Sequence, residues 1–278
     1  MPLILVDILP AKGHFYGSLK MIQILRDAGY QIIYLNMNSL KSELEKYGFQ
    51  TRSHASFIVN PVLLNKQRFN FKLFIDRYLI RRSDFGKSLQ SNFQIFKNFL
   101  DELSPNLVLL DEQNMLKAIY YKSLGIPVVC IETKPEPEMT FNVPPFTSSY
   151  VPSDTKFSRS YCELLWALKI AKNYFRLKKK QLNNCGQDDY STAVRFAKGQ
   201  GEAIKNGIST KRSYGFGIKG IPRIILSPVD FDFPRVEKNN THGIGPLIDV
   251  QREGEIEKPR YNALIKNLQT IKQAQKGK

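Results

Sequence analysis

The amino-acid sequence predicts an α/β fold in which a mostly parallel sheet carries helices on both faces. Two observations predict this class. Short apolar runs rich in Ile, Leu and Val alternate with segments in which apolar residues recur every three or four positions. Most of these segments are closed by Gly or Pro, residues that commonly end helices and strands. Such alternation is typical of strand–helix–strand units with right-handed crossovers.

Each element rests on a local pattern. The run after Met1 is short, apolar and closed by Pro10, as expected of a buried strand, and helical spacing then continues from Phe15 to Gly29. The predicted strands are residues 2–9, 31–35, 49–52, 106–110, 127–131 and 223–226. The predicted helices are residues 15–28, 39–47, 89–103, 115–124, 157–182 and, with a weaker pattern, 190–204. Loops are predicted at residues 53–68 and 133–152, and a turn at residues 243–246.

Composition narrows the class of protein. The 278 residues are 42% hydrophobic, which is enough for one large core and excludes a wholly disordered chain. We expect a Rossmann-like domain at residues 1–258 and a linker at residues 259–278, where the sequence becomes polar and basic. The formal net charge of +16 favours anionic partners, which include phosphates, nucleic acid and acidic membrane surfaces.

Cysteine usage and hydropathy favour a reducing, cytoplasmic location. Cys130, Cys162 and Cys185 lack the C-x-x-C spacing of a zinc site and do not suggest a disulfide framework, and Cys130 is expected to be buried. No run of 18 apolar residues predicts a membrane span, and the N-terminus lacks the basic start of a signal peptide. His54 and His242 have no neighbouring ligand at metal spacing, so no metal site is expected.

Two residues at predicted strand ends are candidates for acid–base chemistry. His14 follows the first strand, and Asp111 follows the fourth. Because the carboxyl ends of parallel strands share one edge of the sheet, the carboxylate would meet the imidazole there and orient it as a general base. The alternative is that His14 is a turn residue and Asp111 a polar strand terminus. The first loop has neither the G-x-G-x-x-G nor the G-K-S/T pattern, so it does not predict a nucleotide site.

The predicted helix at residues 157–182 carries two stripes. One is apolar, and a basic one lies beside it: Phe157, Tyr161, Leu164, Leu168, Ala171 and Phe175, then Lys169, Lys172, Arg176, Lys179 and Lys180. One interpretation is a core helix with a solvated basic face. The other is a basic amphipathic helix on an anionic bilayer. No nucleic-acid motif accompanies the positive charge, so nucleic acid is not an expected partner.

Six segments along the chain form an ordered set of motifs. They are Pro10–His14 (P-x-x-G-H), Ala28–Ile32, Pro105–Asp111, Leu124–Val128, Val143–Ser148, and the run from Ser227 and Pro228 through Phe233 and Pro234 to Gly245 and Pro246. Their order and spacing resemble the N-terminal half of nucleotide-sugar-dependent glycosyltransferases, a group that includes glucosyl-, glucuronosyl- and macrolide-type transferases. The resemblance implies one half of a GT-B fold, with Gly17 standing where many members have proline.

The resemblance also implies a reaction. It is inverting transfer of a sugar from a nucleotide-sugar, in particular a UDP-sugar, to the hydroxyl of a hydrophobic or lipid-like acceptor. His14 matches the catalytic base and Asp111 its partner carboxylate, while Glu112 is a second carboxylate that would compete for His14. No cofactor is implied beyond the nucleotide-sugar co-substrate. The residues expected to contact the substrate are Gly13, Phe15, Glu112, Thr133, Phe141 and Pro144.

The family holds its nucleotide-sugar mainly in a C-terminal domain that has no counterpart in the 278 residues. We therefore expect an acceptor-binding half that is inactive without a donor-binding domain or subunit. Two other hypotheses stay open. One is a non-catalytic adaptor, peripheral at the inner face of a membrane, that recruits a donor-binding subunit; the other is a nucleotide-binding regulator.

Overall fold

A computed structural model describes residues 1–53, 90–184, 188–200, 206–227, 233 and 240–245. The chain divides into two units, Met1–Leu247 and Ile248–Lys278, and all the described residues lie in the first. Several predictions fall outside the described residues: most of the loop at 53–68, His54, Cys185, Pro246, the domain boundary at residue 258 and the linker at 259–278.

Nine strands are described. They are β1 (Leu3–Asp7), β2 (Gln31–Leu35), β3 (Gln50–Arg52), β4 (Leu107–Asp111), β5 (Val128–Glu132), β6 (Ile208–Ser209), β7 (Gly217–Ile218), β8 (Arg223–Ile225) and β9 (Thr241–Gly243). Seven of them form one sheet in the order β3-β2-β1-β4-β5-β8-β9, and every neighbouring pair is parallel. Strands β6 and β7 form a separate antiparallel pair. The predicted α/β class with a mostly parallel sheet is therefore confirmed.

Six α-helices of the described part of the chain accompany the strands and are numbered here. They are α1 (Lys12–Asp27), α2 (Lys41–Lys46), α3 (described at residues 90–103), α4 (Met115–Ser123), α5 (Lys156–Asn183) and α6 (Asp189–Gln200). Gly29 follows α1 with a φ of 92°, a left-handed conformation that suits glycine, as the sequence predicts for the end of this helix. The sequence does not predict β6, β7 and β9, because these two or three residues do not form an apolar run.

The core lies on two faces of the sheet. Along β1, Leu3 and Leu5 pack with residues of α3, α4 and α6, whereas Ile4 and Val6 pack with residues of α1 and α2. Successive side chains of a strand point to opposite faces, so a strand covered on both sides is apolar throughout. This explains why the strands read as continuous apolar runs. Cys130 on β5 is fully buried, as predicted.

Helix α5 does not bury the face that the core-helix interpretation requires. Its buried residues are Ser158, Cys162, Trp166, Asn173 and Leu177. The predicted apolar stripe from Phe157 to Phe175 lies on the opposite side and is exposed. The expectation that this stripe covers the core is wrong, since Trp166 fixes the other face: its ring is fully buried and its Nε1–H donates to the carbonyl of Val143 at 2.7 Å.

A close contact between Arg212 and Gly217 fixes the segment between β6 and β7. The guanidinium of Arg212 is buried, and its Nη1 donates to the carbonyl of Phe216 at 3.0 Å. A Cβ atom placed on Gly217 would lie 2.7 Å from that same Nη1. Only glycine leaves room for the guanidinium, which also pairs with the buried carboxylate of Glu112.

We predict that Gly217→Ala destabilises the protein by roughly 2–4 kcal/mol, because the added methyl group displaces a buried guanidinium from its carboxylate. The measurement is urea unfolding monitored by circular dichroism, with the slope compared between variants. Gly199→Ala is the matched control, since nothing lies within 4 Å of a Cβ atom placed there in α6. Equal stability of the two variants would contradict the prediction.

Candidate functional site

The order of the strands identifies one edge of the sheet as the place for a ligand. Strand β1 pairs with β2 on one side and with β4 on the other. The chain builds outward from β1 through β2 to β3, then returns and builds in the opposite direction from β4. In open parallel sheets, ligands bind beyond the carboxyl ends of the strands at such a reversal. Here that position lies beyond Asp7 and Asp111, which end β1 and β4.

The structure brings His14 and Asp111 together at this edge. Nδ1 of His14 lies 2.5 Å from Oδ2 of Asp111, and the two side chains are 18% and 5% exposed. The two atoms are in close contact, but the geometry is not that of an aligned hydrogen bond. The chain leaves β1 at Asp7 and enters α1 at Lys12, so the short connection delivers His14 in the first turn of the helix.

Backbone groups hold the carboxylate of Asp111 in place. The N–H of Gln113 donates to Oδ1 at 2.9 Å, and the N–H of Leu9 lies 3.5 Å from Oδ2. Since Nδ1 of His14 faces this carboxylate, a proton on Nδ1 is favoured, which leaves the lone pair on Nε2. Among the described residues, Nε2 has no hydrogen-bond partner. This arrangement suits a general base whose conjugate acid is stabilised by a fixed anion.

Two other predicted residues lie near the histidine in the structure. Gly13 is exposed and precedes His14 in the first turn of α1. Thr133 follows β5, and a Cβ atom placed on Gly17 would lie 3.2 Å from its Cγ2. The loop after β5 therefore reaches the turn of α1 that follows His14, and glycine at position 17 gives Thr133 the room to approach.

The remaining predicted residues are placed elsewhere. Phe141 is 68% exposed, and Pro144 is buried beside Val143, in the loop that Trp166 anchors. Neither has a polar contact with the histidine–aspartate pair among the described residues. The role of Phe141 and Pro144 in substrate binding stays a prediction.

Phe15 and Glu112 both have partners within the protein. Phe15 is fully buried, and its ring packs against Tyr16 and Tyr34 in the core, so its contact with a substrate stays a prediction. Glu112 is also buried, and its carboxylate pairs with Arg212 and lies 3.6 Å from Arg223. Because Glu112 turns to the arginines, it does not compete with Asp111 for His14.

A largely buried cluster of ionisable groups adjoins the pair, and the sequence does not predict it. Its members come from the turn after β4, from β5, from β8 and from the segment between β5 and β8: Glu112, Glu132, Glu136, Glu138, Arg212, Tyr214 and Arg223. Arg223 lies 3.3 Å from the carboxylate of Glu136 and 2.5 Å from that of Glu138. The hydroxyl of Tyr214 donates to Glu132 at 3.0 Å. Four carboxylates thus face two guanidinium groups.

This imbalance favours protonation of the least compensated acid. Burial, followed by repulsion from Glu112, raises the pKa of Glu132 to about 8. Burial also raises the pKa of Glu112, although Arg212 and Arg223 oppose that shift. Glu132 ends a predicted strand, a position that could have marked it as a site residue in the same way as Asp111. Arg212 and Arg223 carry no such signal, because they reach the cluster only through the tertiary fold.

A cavity of about 430 Å³ opens beside Glu112. Residues of α5, α6 and the segment after β6 line it, among them Arg176, Lys180, Asp188, Tyr190 and Tyr214. Within the described ranges, no group of three or more His, Cys, Asp or Glu residues is arranged to hold a metal ion. No helix among the described residues is long and apolar enough to span a membrane.

The chain is similar to known proteins in its structure. No protein-family profile matches the chain, and no curated protein matches it in sequence. Among solved structures, the glycotransferase of kitacinnamycin matches with a TM-score of 0.48 and 17% identity, over 92% of this chain and 55% of that one. CalG4, the calicheamicin glycosyltransferase, matches with a TM-score of 0.42 and 15% identity, over 88% and 53%.

A third structure is the spinosyn rhamnosyltransferase SpnG complexed with thymidine diphosphate, with a TM-score of 0.32 and 18% identity over 49% of this chain. The three are glycosyltransferases, the group that the sequence motifs resemble. The chain spans about half the length of the first two, 55% and 53%.

The raised pKa of Glu132 predicts a dependence of stability on pH. Between the ordinary carboxyl pKa of 4.5 and about 8, the folded protein holds a proton on Glu132 that the unfolded chain has lost. Stability therefore falls as the pH rises through this window. Glu132→Gln removes the proton equilibrium, so its unfolding free energy should fall less than that of the wild type between pH 5 and pH 8, by a difference on the order of a few kcal/mol.

The measurement is denaturant unfolding of both proteins across this pH range. Glu43→Gln is the control, because Glu43 lies on α2 outside the cluster and its pKa is lowered, first by a hydrogen bond from Ser42. Parallel pH profiles for the wild type and Glu132→Gln would contradict the assignment.

Proposed function

We propose that this chain is the acceptor-binding and catalytic-base domain of an inverting glycosyltransferase. The observation that carries the proposal is the contact of 2.5 Å between His14 and Asp111, at the edge where the order of the sheet reverses. One ring nitrogen of His14 faces a fixed carboxylate, and the other has no hydrogen-bond partner among the described residues. A histidine in this arrangement can remove a proton from a hydroxyl group. The P-x-x-G-H motif at Pro10–His14 supports the choice of reaction.

The proposed step moves one proton and one glycosyl group. Nε2 of His14 accepts the proton of the acceptor hydroxyl, and the oxygen attacks the anomeric carbon of the sugar. The bond from that carbon to the diphosphate breaks, and the nucleoside diphosphate leaves with the electron pair. Attack opposite the leaving group inverts the anomeric centre. Asp111 stabilises the imidazolium once the proton has arrived, while the N–H of Gln113 keeps the carboxylate in position.

The two substrates have separate requirements in this proposal. A hydrophobic or lipid-like acceptor would lie at the edge formed by β1, β4 and the loop after β5, where Gly13 and Thr133 approach the histidine. The donor, a UDP-sugar or another nucleotide-sugar, would be held mainly by a C-terminal domain or a separate subunit. The first loop offers no phosphate-binding glycine pattern for this task.

His14→Ala is expected to lower kcat by about 10²–10⁴-fold, since the general base is lost, with the KM for the donor changed only a few-fold. Asp111→Asn should lower kcat by at least about tenfold because the imidazolium loses its anion. The assay uses the chain supplied with its donor-binding domain, a panel of UDP- and thymidine-diphosphate-sugars, hydroxylated apolar acceptors, and mass spectrometry of the products.

His242→Ala is the matched control, because His242 is exposed on β9, outside the pair. Circular dichroism and the Tm check that each variant is folded. Turnover of His14→Ala at the wild-type rate would remove the assignment of the base.

Residues 1–278 alone are expected to transfer no sugar and to release no nucleoside diphosphate, because in this proposal a C-terminal domain or a separate subunit holds most of the nucleotide. The measurement is nucleoside-diphosphate release with and without a donor-binding domain added in trans or in cis. Multiple turnovers by residues 1–278 alone would contradict the half-enzyme proposal.

A further inference from the structure

The outward face of α5 carries an apolar stripe that the described structure leaves open. Phe157, Leu164, Leu168, Phe175 and Leu182 are each between 51% and 78% exposed. Their spacing of seven, four, seven and seven residues places them within one narrow strip, because a helix repeats every 3.6 residues. The buried residues of the same helix lie on the opposite side, so packing on the domain does not explain this strip.

The shape of the stripe limits what could cover it. From Phe157 to Leu182 it extends about 38 Å along the axis, at 1.5 Å per residue. This is far longer than a small-molecule ligand, and the side chains form a straight line on an exposed face. Tyr161 widens the strip at its N-terminal end, where its ring packs on Tyr150 at 4.8 Å. A long, straight apolar line of this kind fits a flat partner.

The charge around the stripe limits the partner further. Helix α5 contains eight Lys or Arg residues and one acidic residue, Glu163. Lys172, Arg176 and Lys179 are exposed at the border of the apolar strip. Burial, followed by repulsion from Lys172 and Arg176, lowers the pKa of Lys169, so neighbouring positive charges act on one another along this helix. A partner that covers the strip must bring negative charge to its edge.

Two possible occupants of the strip, a segment of this chain and a second copy of it, lack the required negative charge. Residues 54–89 contain seven Lys or Arg and two Asp, so they would add positive charge beside the lysines. A second copy of α5 would bring the same excess of positive charge to the contact. An anionic lipid surface instead supplies both requirements, since acyl chains accept the apolar side chains and phosphates accept the lysines.

We propose that α5 lies in the plane of an anionic bilayer surface, with Phe157, Leu164, Leu168, Phe175 and Leu182 inserted at the level of the headgroups. Lys172, Arg176 and Lys179 then contact lipid phosphates on the border of the strip. The apolar strip inserts into the bilayer, and the basic side chains make the binding selective for anionic lipids. The docking requires no transfer activity, so it stands or falls independently of the proposed reaction.

The test is co-sedimentation of the full chain with vesicles of phosphatidylcholine, with and without 30 mol% phosphatidylglycerol. The wild type should bind the anionic vesicles at least tenfold more tightly, and binding should weaken as the salt concentration rises. Leu164→Glu with Leu168→Glu tests the apolar contribution, and Lys172→Glu with Lys179→Glu tests the charge. Each pair should weaken binding at least tenfold.

Matched controls separate the stripe from general surface properties. Ile95→Glu changes a residue of α3 that is 51% exposed, and Lys20→Glu changes an exposed lysine of α1. Both should bind within about twofold of the wild type. If the wild type does not bind anionic vesicles at low salt, or if the Leu164/Leu168 pair binds as the wild type does, the proposal is overturned.

A second measurement reports insertion directly. Leu168→Trp places an indole on the strip, and Trp166 is buried and serves as a constant background. The emission of the new indole should shift to shorter wavelength on anionic vesicles, while that of Ile95→Trp should not. An unshifted spectrum would overturn the proposal, and so would a concentration-dependent dimer that hides the strip.

Discussion

The parallel pairing of β1 with a strand on each side is the constraint on which the rest of the site depends. Because β2 and β4 flank β1 in the same direction, the chain must reverse its order between them. The reversal leaves the carboxyl ends of β1 and β4 uncovered side by side. His14 and Asp111 are far apart in sequence and meet only because of this order.

Two adjacent carboxylates at the end of β4 have different partners. Asp111 turns to the histidine, and Glu112 begins a short 3₁₀ turn, Glu112–Asn114, that directs its side chain to Arg212. Burial of Glu112 would be costly without the arginines, because an unpaired buried charge loses its hydration. The pairing of Glu112 with the arginines therefore fixes the end of β4, where Asp111 lies.

Helix α5 has one side packed on the domain and one side exposed. Trp166, with its bond to the carbonyl of Val143, ties the helix to the loop after β5, and Asn173 bonds to the backbone of Gly215. Those contacts occupy one side of the helix and leave the apolar strip outward. The same helix also lines the cavity beside Glu112 through Arg176 and Lys180.

The sequence alone determined the alternation of elements, six of the nine described strands, the positions of the described helices, and the two residues of the candidate pair. Those features are local: the spacing of apolar residues, the glycines that end helices and the polar residues that end strands can all be recognised from a few neighbouring residues. Tertiary structure decided what depends on distant partners. Phe15 lies in the core because Tyr34 covers it, Glu112 turns away because Arg212 and Arg223 arrive from far along the chain, and α5 faces outward because Trp166 packs inward. A period of 3.6 residues shows that a helix has an apolar side, but only its packing partners decide whether that side is buried.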